Sequence, residues 1–134
     1  MHPFLKNGLA VLAGIIIGGL INFSIIIISN FIVPLPEGVD ATSVESIKAN
    51  IHLYKPIHFL FPFLAHALGT LSGAVLAIKI SNDKMKKVAY VVALVFLYGG
   101  ISMGTQIPSP LWFSILDLGV AYIPMAWLAT KLTR

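Results

Sequence analysis

The chain contains no cysteine. That excludes disulfides, thiolate zinc and iron–sulfur sites, covalent haem attachment, a cysteine nucleophile and a lipoprotein anchor. Charge is almost as scarce, since only 10% of the residues are Asp, Glu, Lys or Arg, against about 25% in an ordinary soluble domain. The few basic residues flank apolar segments and form no aromatic-interleaved patch, so the net charge of +4 reads as membrane topology and not as a nucleic-acid surface. Dense metal-ligand spacings such as His-x-x-x-His or His-Glu-x-x-His are missing as well, and so is a recognisable nucleophile motif.

What the chain has in abundance is apolar sequence: 57% of its 134 residues are hydrophobic. At about 20 residues per membrane crossing, this length holds four transmembrane helices and one sizeable loop in a single domain, residues 1–134. The expected spans are 8–33, 57–80, 88–107 and 111–130, an all-α four-helix transmembrane bundle. Pro34 and Pro36 close the first span, because neither can continue a helix. Pro62 lies inside the second and frees the carbonyl of His58, which predicts a kink there. Trp112 and Trp127 are 15 positions apart, about 22 Å along a continuous helix, as two interfacial aromatic belts require.

Residues 34–56 form the long loop. Thr42-Ser43-Val44-Glu45 has the spacing of a capping box with Thr42 as the cap. Val44, Ile47 and Ile51 follow on one face, with Glu45, Lys48 and His52 on another, so the pattern predicts a short amphipathic helix on the membrane surface. Lys6, Lys79, Lys84, Lys86, Lys87, Lys131 and Arg134 share one side of the bilayer, against Lys48 and Lys55 on the other. This bias puts both termini in the cytoplasm and the protein in a bacterial inner membrane, and it opposes dual topology.

Depth sorts the embedded polar residues. At 1.5 Å per residue, His66 and Tyr98 fall about 13 Å below the outer boundary, Asp117 about 10 Å, Ser102 about 8 Å and Asn22 about 16 Å. All five belong to the outer half, which predicts an outward-facing polar pocket. A carboxylate at such depth costs about 2.5–3.5 kcal/mol on insertion scales and needs a partner, and His66 is the natural one for Asp117. The pair reads either as the centre of a site that binds or transports a small polar ligand, proton or ion, or as a structural clamp between helices. A small membrane enzyme using the pair with Ser102 or Ser114 is a weaker reading. Imidazole and carboxylate at Glu45, His52 and His58 suit zinc or another divalent ion, whereas bis-histidine haem needs two deep histidines and only His66 is deep. Gly14 and Gly18, and Gly69 and Gly73, form small-residue faces for close helix packing or for contact with a second copy or another membrane subunit. Beyond such a subunit, the lipid bilayer is the partner that the composition demands.

Overall fold

A computed structural model describes all residues, 1–134, and every regular element is helical. Helix α1 spans Pro3–Ile32, α2 Val44–Asn50, α3 Ile57–Ile80, α4 Lys87–Gln106, α5 Leu111–Val120 and α6 Ile123–Leu132. Four segments are long and apolar enough to cross a membrane: α1, α3, α4, and α5 with α6 taken as one span. The first begins five residues earlier than the hydropathy run suggests. The ring of His2 accepts the Phe4 amide at 3.3 Å and Pro3 opens the helix, a position where a missing N–H costs nothing.

The fourth span is not one helix. Its hydrogen-bond ladder is interrupted at Ala121–Tyr122, where Tyr122 takes φ −118° and ψ −81°, and Pro124 sits in the first turn of α6. Proline brings no amide to bond back to Val120, and its ring crowds the turn before it. The predicted continuous helix over 111–130 therefore divides into two ten-residue pieces. Irregular backbone at membrane depth is tolerated where protein covers it, and Ala121 and Tyr122 are both buried.

Helix α3 is the centre of the bundle, packed on α1, α4 and α6. Its tightest seam is with α1, where Gly14 meets Gly73 and Gly18 meets Gly69 so closely that a Cβ at any of them would strike backbone oxygen. The two glycine faces that the sequence offered to a second copy are thus turned toward each other inside one chain. In the half of the bundle nearer the termini, Ala74, Ala77, Val92, Ala93, Ala126 and Ala129 belong to one buried apolar cluster. Small side chains let three helices approach without voids. The Asn7 side chain ties this end together by accepting the Asn82 amide at 2.8 Å.

The 34–56 segment covers the other end. Ser43, not Thr42, caps α2 by accepting the Ser46 amide at 3.2 Å. The Thr42 hydroxyl and amide instead bond Asp40, at 2.7 and 2.8 Å, so the capping box starts one residue too early and Glu45 takes no part in it. Both bonds favour the ionised carboxylate and hold Asp40 below the usual aspartate range. Their support for this turn is present above the ordinary aspartate pKa and is lost as the pH falls through the lowered one. An NMR titration of the Asp40 carboxyl should show this low midpoint, and Thr42→Val should move it upward. A midpoint unchanged by that substitution would mean that the hydroxyl bond does not form.

Candidate functional site

His66 lies on α3 one turn after Pro62, and Asp117 lies on α5 one turn before the break. The sequence gives each its depth, and the fold gives them the same azimuth. His66 Nδ1 lies 2.8 Å from Asp117 Oδ1 and 3.0 Å from Oδ2. Opposite a carboxylate, this nitrogen is the donor, which leaves Nε2 as the free side of the ring. Tyr122 completes the group by donating its hydroxyl to Asp117 Oδ2 at 3.2 Å. Its ring stacks on His66 at 5.8 Å between centroids. The break makes this possible, because it swings Tyr122 inward against α4 at Gly100, where a Cβ would overlap the phenol.

Two cavities meet at this group. The larger, about 370 Å³, lies between the 34–56 segment and helices α1, α3, α4 and α5, with walls that include Ile26, Ile47, Phe59, Phe61 and Phe113, and both His66 and Asp117 among its lining residues. The smaller, about 200 Å³, lies on the other side of His66 and is lined by Asn22, Thr70, Phe96, Gly99 and Tyr122. Asn22 Oδ1 and Thr70 Oγ1 are buried there with no hydrogen-bond partner in the protein. His66, Gly100 and Met103 line both spaces. Beyond the smaller cavity the alanine-rich core closes the bundle.

The two members of the pair differ in access. The side chain of His66 is 28% exposed and that of Asp117 6%, so the imidazole meets the cavity while the carboxylate backs it. His66 Nε2 makes no hydrogen bond and is not sealed off. A histidine held by a carboxylate through one nitrogen, with the other facing open space, can accept a proton or a hydrogen bond from a bound molecule.

The rest of the expected site is rearranged. Tyr98 is 76% exposed on the outside of the bundle and Ser102 lines neither cavity. Both stand two residues from Gly100, about 200° around α4, so they occupy the opposite face. Asn22 is the third expected residue that the pocket retains. Ser114 lines the larger cavity, but its hydroxyl is shared with Ser109 Oγ at 2.8 Å.

The structure does not bring Glu45, His52 and His58 together, and no group of three or more His, Asp or Glu side chains converges elsewhere in the chain. His58 spends both nitrogens locally: Nδ1 accepts the Lys55 amide at 2.8 Å and Nε2 reaches the Pro34 carbonyl at 3.2 Å. It is a clip between the start of α3 and the end of α1. Beside it, the Tyr54 ring packs edge-on at 5.4 Å, and burial pushes its hydroxyl above the usual tyrosine range. Tyr122, Thr70 and Gly100 are the site residues that sequence reasoning missed. Only Pro124, a proline within an apolar run, signals the break that brings Tyr122 inward.

No known family model, curated protein or solved structure matches this chain.

Proposed function

We propose that this is a small inner-membrane protein whose outward-facing intramembrane pocket, centred on His66 and Asp117, binds a small ligand through one polar group. The observation that carries this reading is the placement of the pair between two cavities at one end of the bundle, while the other end is packed solid with alanine. A clamp between helices needs neither the space nor a free Nε2. The lysine and arginine bias favours both termini in the cytoplasm and the sealed half on the cytoplasmic side of the membrane, so the ligand enters from the outer face. The α2 segment lies at that interface, with Ile47 and Ile51 turned to the cavity mouth. The larger cavity has the size of a small-molecule site and mostly apolar walls, so the ligand carries an apolar body behind its polar end. Transport of such a ligand requires the alanine-packed half to open in a second conformation. The Gly14/Gly18 and Gly69/Gly73 faces are used within the chain, so any oligomer forms through other surfaces.

Absence of native cysteine makes the test direct. Ser114→Cys should react with a membrane-impermeant thiol reagent added to intact cells, whereas Ala89→Cys, in the sealed core, should stay unlabelled. Occupying the cavity with octanol should slow labelling of the first variant. Reaction of Ser114→Cys from the cytoplasmic side alone, or none from either side, would overturn the proposal.

A further inference from the structure

We infer that the ligand is an amphiphilic cation, held by an ammonium group at His66 Nε2 in front of the Asp117 carboxylate and released when His66 takes up a proton. This rests on the binding reading given above and adds the chemical class of the ligand. It starts from a charge audit of the two cavities. Neither is lined by any lysine, arginine or glutamate, and Asp117 is the one carboxylate. His58 at the cavity mouth accepts an amide proton on Nδ1, a contact that fits the neutral ring and gives no positive charge.

A buried carboxylate keeps its field in a low-dielectric site. Asp117 is satisfied by two donors, the imidazole Nδ1 and the Tyr122 hydroxyl. With a neutral imidazole the group as a whole carries one negative charge, and the part of it that faces the cavity is an acceptor, Nε2. A donor cation matches both features. An anion meets an acceptor and a like charge, and a neutral alcohol matches only the hydrogen bond. The walls fit the rest of such a molecule, because Phe59, Phe61 and Phe113 supply apolar area and ring faces that tolerate a nearby cation.

Protonation reverses this recognition. If Nε2 gains a proton it becomes a donor and the group becomes neutral overall, so a proton and an ammonium compete for one atom. The other titratable groups that face His66 are Asp117 and Tyr122, with Tyr54 and His58 further out at the cavity mouth. Helices α1 and α4 contribute none. A proton on His66 Nε2 is therefore the direct competitor of the ammonium.

The experiment uses three probes with one apolar body, octylammonium, octanol and octanoate, added to the full chain in nanodiscs of uncharged lipid and followed by thermal shift. Octylammonium should bind about tenfold or more tightly than octanol, with octanoate weakest. Its affinity should fall as the pH is lowered, while that of octanol stays level. In Asp117→Asn the preference for the ammonium should vanish and octanol binding should remain. Equal binding of all three probes to the wild type would overturn the cation assignment and leave the pocket standing, a comparison that needs no variant to fold. Failure of all three to bind would overturn the pocket reading with it.

Discussion

Gly73→Val is expected to lower the melting temperature of the solubilised protein by roughly 10 °C or more, an effect of about 3 kcal/mol at the upper end of overpacking costs. The reason lies in what the new side chain meets. A Cβ on Gly73 runs into the Gly14 carbonyl oxygen, with the Gly14 carbonyl carbon at 3.2 Å and Gly18 Cα at 3.3 Å behind it. A flexible side chain would move aside, but main chain inside a helix does so only if the whole helix shifts. Gly19→Ala is the control, because a Cβ there meets nothing within 4 Å. That variant should match the wild type or exceed it by up to about 1 kcal/mol, from the better helix propensity of alanine. Equal melting temperatures for Gly73→Val and Gly19→Ala would mean that α1 and α3 do not approach as described. The same seam bears on the site, since Asn22 on α1 and Thr70 on α3 line one cavity. A variant that separates the helices should therefore lose ligand response before it loses helix content.

Hydropathy made the spans legible, because about 20 apolar residues between charged or proline-rich turns have few other places to go. Depth was legible for the same reason, and it set His66 beside Asp117. Azimuth was not. Periodicity in a helix apolar on all sides gives no inward face, so Tyr98 and Ser102 share a depth with the site while pointing away from it. Gly99 and Gly100, which the sequence shows only as small residues, mark the face that looks inward. The break in the fourth span was hidden because its residues are as apolar as the helices on either side. Tyr122 reaches Asp117 through a backbone turn that only Pro124 announces. The capping error has a similar origin: Thr42 and Ser43 are adjacent and both competent, and the choice falls to Ser43 because Asp40 already engages Thr42.

His66→Ala should destabilise the protein by about 3 kcal/mol, because it strips a buried carboxylate of one of its two hydrogen-bond donors. Asp117 is 4% exposed, and without the imidazole it keeps only the Tyr122 hydroxyl as donor. Asp117→Asn should cost far less, about 1 kcal/mol, because the amide oxygen still accepts from Nδ1 or from the phenol in the same space. Combining the two substitutions should cost at least about 2 kcal/mol less than their sum, because the carboxylate stranded by the first change is removed by the second. Unfolding of the four proteins in one mixed-micelle system measures this cycle, and simple additivity would show that the two side chains do not meet. Coupling alone is what a clamp also predicts. The clamp and the binding site part at a second measurement on the same four proteins: for a clamp, stabilisation by octylammonium is absent throughout. For a site, it is present in the wild type and falls to the level given by octanol in Asp117→Asn, although that variant retains most of its stability. Asp117→Asn is thus the informative substitution, since it changes the charge of the site while nearly preserving its shape and its hydrogen bonds.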